Sequence, residues 1–207
     1  MIRHGFSVAN SEKRFAGHSD FPLTEIGQRQ AEKCAEALKD ERIDAIYASD
    51  LKRAYDTAVP VARSHSLDII PHKGLREIYA GEWEGKTFDE LSEIYADSYG
   101  VWMEDNGRAH CDGGERVSEL SSRVLSTLEE IASKHDGETV CIATHATPIR
   151  AVCTAAAGLS SDDMGKIRWT VNASISIFEY ENGRFRAVAV SMTDHLGELR
   201  TAFPSNV

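Results

Sequence analysis

The sequence lacks the features that would place the chain in a membrane or export it. No apolar run reaches the roughly 18 residues that a spanning helix needs. The first residues, Met1 to Gly5, form neither the basic start nor the apolar core of a signal peptide. We therefore expect a cytoplasmic protein with no membrane partner.

Cysteine is scarce, and its spacing matches no known ligand or redox motif. The four cysteines, none of them in a CxxC pair, are Cys34, Cys111, Cys141 and Cys153. Without an export signal, disulfides are the minority interpretation, and all but Cys111 lie among apolar residues where cysteine fills core space. Consecutive residues such as His110, Cys111 and Asp112 cannot make a tetrahedral metal site. We expect no metal and no cofactor.

Positive charge is also in short supply. Lysine and arginine total 23 against 33 acidic residues, giving a formal net charge of −10. Long-range attraction to nucleic acid is therefore not expected. A small anionic substrate could still bind where basic residues converge on one pocket. The sequence does not fix the oligomeric state, and a homodimer is compatible with it.

Short apolar stretches alternate with amphipathic ones, which indicates an α/β fold with a parallel sheet. Strands are predicted at 43–48, 67–71, 139–144, 174–180 and 184–191. Asn182 and Gly183 separate the last two and predict a C-terminal hairpin. The expected architecture is a three-layer sandwich, with a mostly parallel central sheet and helices on both faces.

Helix signals lie between these strands. Helices are expected after an N-cap at Thr24, after Ser49 and Asp50, over 117–131, and from Pro148 to before Gly158. Pro60 should kink or split the second helix. Residues 74–114 interrupt this alternation of strands and helices, and they are rich in glycine, aromatic and acidic residues. Such a segment is typical of a small cap inserted over an active site. We interpret residues 1–207 as a single domain with this cap.

Candidate functional residues follow predicted strands at their carboxyl ends, where open α/β sheets bind ligands. Arg3 and His4 lie at the start of the chain, His145 directly follows the strand at 139–144, and Arg53 follows the strand at 43–48. Each residue alone has an ordinary structural explanation. Their shared placement in an acidic chain favours a local anion site.

Several short motifs surround these residues. They are RHGFSVAN at 3–10, the first loop and helix at 15–31, SDLKRA at 49–54, the acid motif at 75–85, GGE at 113–115 and TH at 144–145. A lone RHG is a weak signal, but several motifs in the right order are strong. Together they resemble the motifs of the histidine phosphatase superfamily, also called phosphoglycerate mutase-like, and in particular its phosphatase branch.

The resemblance implies a metal-independent reaction in two steps. His4 would attack phosphorus and form a phosphohistidine, and Glu77 would protonate the leaving oxygen and then activate water. The side chains of Arg3, Arg53 and His145 would stabilise the phosphoryl charge. The positions implied to bind substrate are Arg3, Asn10, Gly17, Arg53, His145 and Ala146.

Several neighbouring residues leave alternatives open. Glu82 and Glu84 could replace Glu77 as the acid, although only Glu77 matches the family position; otherwise they are solvated loop charges. The residues that either line the substrate end or are ordinary loop and cap residues are Arg14, Arg76 and Trp102. The histidines without motif support, interpreted as background, are His18, His65, His72, His135 and His195.

The sequence departs from the family pattern at four places. Only Met1 and Ile2 precede Arg3, too few for a first strand of ordinary length. Phe6 stands where an acidic or amide residue is common, and Asp112 where proline is typical. Ala146 replaces the usual glycine, so its Cβ could narrow the phosphate site. None of these changes removes a reacting group.

Two other functions compete with the phosphatase. A mutase would use the same phosphohistidine and return the phosphoryl group to another hydroxyl, but the family's mutases have longer caps than the segment at about 74–114. A non-catalytic phosphate-binding protein would not require all of His4, Arg53, Glu77 and His145. The phosphatase is the leading interpretation, and the substrate stays open.

Overall fold

A computed structural model describes residues 1–202, and its central feature is a six-stranded sheet in the order β3-β2-β4-β1-β5-β6. The strands are β1 (Ile2–Arg3), β2 (Ala45–Ala48), β3 (Ile69–Pro71), β4 (Val140–Thr144), β5 (Ile175–Glu181) and β6 (Arg184–Met192). β2 pairs in parallel with β3 and β4, and β1 in parallel with β4. β5 runs antiparallel to β1 and β6. The predicted mostly parallel sheet with a C-terminal hairpin is confirmed.

Helices cover both faces of this sheet. The α-helices are α1 (Val8–Ser11), α2 (Glu25–Leu38), α3 (Lys52–His65), α4 (Phe88–Ile94), α5 (Ala96–Asp105), α6 (Val117–Lys134) and α7 (Ala146–Ala156). Short 3-10 helices are Lys73–Leu75, Gly81–Trp83, Asn106–Arg108, Ser161–Lys166 and Asp194–Leu199. Among residues 1–202, no helix is long and apolar enough to cross a membrane.

Alternation along the buried strands divides the core between the two faces. Ile46 and Ala48 of β2 pack in one cluster with residues of α2 and α3. Ala45 and Tyr47 of the same strand pack in the other cluster, with residues of α6, α7 and the cap segment 74–114. Because successive side chains point to opposite faces, a four-residue strand supplies both layers and the sandwich has three layers.

The start of α3 differs from the prediction. Neither Ser49 nor Asp50 caps the first turn; instead the Lys52 N–H donates to Asp20 Oδ1 at 2.6 Å, from the loop that precedes α2. Asp50 is engaged elsewhere, because its two carboxylate oxygens each accept a hydrogen bond of 2.6 Å from Arg76. The cap therefore comes from a distant segment, which a local sequence pattern could not indicate.

Helix α3 also continues through Pro60, so of the predicted kink or split, the split is wrong. A proline within a helix removes one backbone donor and crowds the preceding turn. In α3 that residue lies on the buried face, beside Ala58 and Val61, which have no exposed surface. Packing of this face against the sheet holds the helix together across the missing hydrogen bond.

The segment between β3 and α6 is built around aromatic side chains. Phe15 packs edge-on against Trp83 and Trp102, with ring centroids 5.4 and 5.0 Å away. Asp112, which stands where proline is typical in the family, accepts a hydrogen bond of 2.9 Å from Trp83 Nε1 and another from Ser98 Oγ. This carboxylate ties the end of the segment to its aromatic core, a role that proline could not fill.

Candidate active site

The two motif histidines lie side by side because their strands are neighbours. β1 contains only two residues, but its register continues: the His4 N–H donates to the carbonyl oxygen of Thr144 at 2.9 Å. His145 follows Thr144 directly, at the carboxyl end of β4. The imidazole rings of His4 and His145 lie 5.2 Å apart between centroids, at an angle of 62°. The short first strand therefore still positions both rings.

The hydrogen bond made by the His4 ring determines which nitrogen can react. Nδ1 lies 2.8 Å from the carbonyl oxygen of Gly5, and a carbonyl only accepts, so Nδ1 carries the proton. Nε2 then holds a lone pair. Burial, followed by the positive charges of Arg53 and Arg3, lowers the pKa of His4 well below 6.5. The ring is neutral at physiological pH, as a nucleophile must be.

His145 is fully buried, and only one of its two ring nitrogens has a hydrogen-bond partner among residues 1–202. Its Nε2 lies 2.8 Å from Ser49 Oγ, whereas Nδ1 has no hydrogen-bond partner among residues 1–202. Burial and then the charge of Arg53 lower the pKa of His145 well below 6.5. An unpartnered polar atom in a buried position is costly, and a bound ligand or a water molecule would satisfy it.

Both motif arginines are buried beside the histidines. Arg53 donates from Nη2 to the carbonyl of Gly17 at 2.7 Å and from Nη1 to that of Ser19 at 2.9 Å, while Arg3 donates to the carbonyl of Thr170. Burial lowers the pKa of each guanidinium to about 10, and the charge of Glu77 opposes that shift. Both arginines therefore stay charged at neutral pH and form a local positive site in an acidic chain.

Glu77 faces these arginines from the loop after the 3-10 helix Lys73–Leu75. Its Oε1 accepts from the N–H of Ile78 at 2.9 Å, and its Oε2 from that of Thr147 at 3.4 Å. Thr147 lies in the first turn of α7, directly after Ala146, a buried residue that begins the helix. This carboxylate thus spans from the acid motif to the helix that follows His145.

Asn10 is oriented by three donors at its amide oxygen. Oδ1 accepts from the N–H and Oγ of Ser7, both at 3.0 Å, and from Asn172 Nδ2 at 3.1 Å. Asn172 also donates to the carbonyl of His4 at 3.1 Å, so it links the two motif residues. Sequence reasoning missed Asn172, since it lies before β5 without a motif.

Gly17 adopts a left-handed conformation, with φ at +47°. A Cβ at this position would lie 2.3 Å from Glu84 Oε1, so a side chain would clash as well as strain the backbone. The glycine carbonyl is then free to accept from Arg53. Gly17 thus belongs to the site through its backbone.

Glu84 is not the solvated loop charge that was one expectation. Its Oε1 accepts from the N–H of His18 at 2.7 Å and of Ala80 at 3.1 Å, and its Oε2 from the N–H and Oγ of Ser19, both at 2.6 Å. The carboxylate holds the Gly17–Ser19 loop, which in turn receives Arg53. Glu82, by contrast, is exposed and accepts from the Tyr95 hydroxyl at 3.0 Å.

The structure shows different surroundings for the three residues whose roles were left open, Arg14, Arg76 and Trp102. Trp102 is buried in the aromatic cluster, and Arg76 forms the ion pair with Asp50. Arg14 is partly exposed and donates to Glu12 at 2.6 Å and to the carbonyl of Gly85 at 2.8 Å. Trp102 is therefore part of the aromatic core, whereas Arg14 and Arg76 are partly exposed and held by neighbouring acidic side chains.

Two further residues support the acid motif. Arg123 of α6 donates to the carbonyls of Gly74, Arg76 and Glu77 at 3.0, 3.1 and 3.2 Å. Its guanidinium also forms a bidentate ion pair with Glu115, at 2.9 and 2.8 Å. Sequence reasoning missed Arg123, because its helical spacing resembles that of any solvated charge.

Fold and site together define a class of protein. Two neutral buried imidazoles, two buried guanidinium groups and a carboxylate converge at the carboxyl edge of a parallel sheet, an arrangement suited to phosphoryl chemistry. A family model described as histidine phosphatase superfamily (branch 1) matches residues 1–193. The chain belongs to this superfamily and is a histidine-type phosphatase.

Individual relatives agree with that membership. Phosphoserine phosphatase 1 of Hydrogenobacter thermophilus is 34% identical over 201 residues, covering 96% of this chain and 93% of the relative. The metal-independent phosphoserine phosphatase of Arabidopsis thaliana is 32% identical over 202 residues, covering 96% and 83%. The solved structure of Bacillus stearothermophilus YhfR is 30% identical, covers 94% of this chain and 96% of its own, and superposes with a TM-score of 0.90.

Proposed function

We propose that the chain hydrolyses a small phosphomonoester through a phosphohistidine formed on His4, without a metal ion. The observation that carries this proposal is the 2.8 Å contact between His4 Nδ1 and the Gly5 carbonyl. It directs the lone pair of Nε2 away from the backbone, in a ring that burial keeps neutral. The adjacent Arg3 and Arg53 supply the charge that attracts a phosphate dianion.

In the first step, His4 Nε2 attacks phosphorus in line with the ester oxygen. The nitrogen–phosphorus bond forms as the phosphorus–oxygen bond to the alcohol breaks. Glu77, in its protonated form, donates its proton to the leaving oxygen. Arg3, Arg53 and His145 stabilise the charge on the equatorial oxygens. The Gly5 carbonyl, which accepts from Nδ1–H, stabilises the positive charge that the phosphorylated ring acquires.

In the second step, water attacks the phosphohistidine. Glu77, now a carboxylate, takes a proton from the water as its oxygen bonds to phosphorus. The phosphorus–nitrogen bond breaks, and its electron pair returns to Nε2. One inorganic phosphate leaves, and both His4 and Glu77 regain their starting protonation states.

For the substrate we propose a small phosphorylated metabolite, with O-phosphoserine as the first compound to test. Two relatives that span nearly the whole chain carry phosphoserine phosphatase in their names, which supports this choice. A mycobacterial structure that is 27% identical, with a TM-score of 0.85, is named glucosyl-3-phosphoglycerate phosphatase. Phosphoglycerates and sugar phosphates therefore belong in the same panel.

The test is release of inorganic phosphate from this panel with EDTA present. The native protein is compared with His4→Ala and with His110→Ala, in which an exposed histidine is removed. We expect release that survives EDTA, is lost by a factor of about 1,000 or more in His4→Ala, and is unchanged in His110→Ala. Release that EDTA abolishes would contradict the metal-free proposal.

The same panel separates the competing functions. Conversion of one phosphoglycerate into its isomer without phosphate release would indicate a mutase. Tight binding of inorganic phosphate by a folded protein that neither releases nor transfers phosphate would indicate a non-catalytic binding protein. Either outcome would overturn the hydrolase proposal.

A further inference from the structure

We propose that Ser49 is a positioning residue that holds His145 in the tautomer with its proton on Nδ1, aimed at a bound phosphoryl oxygen. The identity of that acceptor rests on the proposed function. The tautomer itself does not, because it follows from contacts within the chain. Ser49 would act only through His145, without touching the substrate.

The contact between the two side chains is short and fully enclosed. Ser49 Oγ lies 2.8 Å from His145 Nε2, and neither residue has exposed surface. Two backbone hydrogen bonds fix the serine: its N–H donates to the carbonyl of Ala143 at 2.9 Å, and the N–H of Leu51 donates to its Oγ at 3.3 Å. Because Ala143 lies in β4, two residues before His145, the pair is anchored to one strand.

Counting donors and acceptors decides the direction of the Ser49–His145 hydrogen bond. Suppose that Nε2 carried the proton and donated to Oγ. The serine hydroxyl proton would then need another acceptor, and no further partner of Oγ is found among residues 1–202. Nδ1 would be a second buried group without a partner. This arrangement leaves two buried polar groups unsatisfied.

The opposite direction of this hydrogen bond leaves only one buried polar group unsatisfied. If the serine hydroxyl donates to Nε2, the hydroxyl is used both as a donor and as an acceptor, since Oγ accepts from the N–H of Leu51 at the same time. The remaining unsatisfied group is Nδ1–H of His145. A phosphoryl oxygen would accept from it, so ligand binding completes the network. Fixing the tautomer in advance spares the site a rearrangement when charge develops in the transition state.

The test uses protein labelled with 15N in its histidine rings, in which two-bond proton–nitrogen couplings distinguish the tautomers. The His145 signals are assigned by their loss in His145→Asn. Ser49→Ala is compared with Ser49→Thr, which keeps the hydroxyl, and with Ser121→Ala. The last variant removes a buried hydroxyl that donates only to the Val117 carbonyl within α6.

We expect Nδ1–H at His145 in the native protein and a shift towards Nε2–H in Ser49→Ala. The dissociation constant for inorganic phosphate should rise by about 10-fold in Ser49→Ala, with kcat/KM for the best substrate falling similarly, since the full loss of such a donor costs about 100-fold or more. Ser49→Thr should restore the native tautomer and most of the affinity, and Ser121→Ala should match the native protein.

An Nε2–H tautomer in the native protein would overturn the proposal, even if Ser49→Ala failed to fold. So would a folded Ser49→Ala with native phosphate affinity and an unchanged His145 spectrum. These readouts are independent of turnover. A native protein that releases no phosphate but shows the expected tautomer would defeat the proposed function and leave the role of Ser49 standing.

Discussion

At the residue scale, burial sets the chemistry of this site. His4 and His145 are almost free of exposed surface and lie beside two guanidinium groups, so their neutral forms are favoured. Arg3 and Arg53 remain charged under the same burial because an arginine pKa of about 10 is still far above neutrality. One environment thus yields a neutral nucleophile beside permanent cations.

This burial has a cost that depends on pH. Well above pH 6.5 both histidines are neutral in the folded and unfolded chains and contribute no pH dependence. Below it the unfolded chain binds protons that the native protein does not, because burial lowers both folded-state pKa values. As the pH falls below 6.5, the free energy of unfolding should decrease with a slope that approaches about 1.4 kcal/mol per pH unit for each histidine, until the pH nears its folded-state pKa.

Urea unfolding between about pH 7 and about pH 5.5 measures this slope, above the range in which ordinary carboxylates titrate. Over this window the unfolded chain is only partly protonated near pH 7, so in His4→Gln the mean slope should decrease by about 0.8 kcal/mol per pH unit. Equal slopes in the native protein and the variant would show that His4 is not held neutral by the fold.

Glu84 provides a second prediction at this scale. In Glu84→Gln an amide NH2 replaces one oxygen and meets N–H donors from the Gly17–Ser19 loop, which should shift Arg53. We expect a loss of about 2 kcal/mol in unfolding free energy and a drop in kcat/KM of about 10-fold. Urea unfolding and steady-state kinetics measure the two effects. The matched control Glu82→Gln changes an exposed carboxylate and should alter neither; equal effects in both variants would contradict the loop-holding role.

The residues near the site differ in how well the sequence predicts them. His4, His145, Arg53 and Glu77 belong to motifs, and the structure brings them together as expected, although their roles stay predictions. The sequence could not reveal the roles of Asn172 and Arg123, or the hydrogen bonds that Glu84 accepts from the loop at 17–19. All three depend on contacts between distant segments of the chain. Ordinary spacing in a loop or helix carries no sign of such contacts.

At the element scale, the sheet was predictable and its fine boundaries were not. Each predicted strand exists, within two residues of its expected ends, because short apolar runs between turn signals are distinctive. The capping of α3 by Asp20 and its continuation through Pro60 depend on tertiary contacts. Predictions from local propensity therefore failed where tertiary packing overrides that propensity.

Helix α6 makes a prediction at this scale, since it supports the acid motif through one side chain. Arg123→Met removes the donors to three loop carbonyls and the ion pair with Glu115. The loop that carries Glu77 should shift, and a displacement of about 1 Å can cost about 100-fold in rate. We expect kcat to fall by about 10- to 100-fold with a smaller change in KM.

Steady-state kinetics on the best substrate tests the contribution of α6. The control Arg63→Met breaks an exposed pair with Glu32, at 2.8 Å on the outer surface of α2 and α3, and should leave kcat unchanged. A native kcat in folded Arg123→Met would show that Glu77 does not depend on this helix.

At the scale of the whole molecule, the chain carries a formal net charge of −10 yet concentrates two arginines at one sheet edge. An acidic chain can bind an anionic substrate only where the sign of the charge is reversed locally in this way. The fold class and family membership are confirmed. That residues 1–207 act as one domain stays a prediction, and its last five residues, 203–207, lie outside the described part of the chain.

Cysteine burial offers a prediction for the molecule as a whole. All four cysteines are free and buried, and burial raises the pKa of the Cys153 thiol to about 11. Thiolates are the reactive form, so the native protein should react very slowly with a thiol reagent. Denaturation should expose all four thiols at once. Rapid reaction of even one thiol in the native protein would contradict this packing.

The central claim is that His4 carries the phosphoryl group. We would trap it in Glu77→Gln with an aryl phosphate, whose leaving group needs little acid catalysis while the variant lacks the base for hydrolysis. Mass spectrometry after an alkaline quench should find one phosphoryl group on the peptide containing His4. The modification should be labile in acid and absent from a His4→Ala, Glu77→Gln double variant. Phosphate on another residue, or turnover that persists in His4→Ala, would contradict the account.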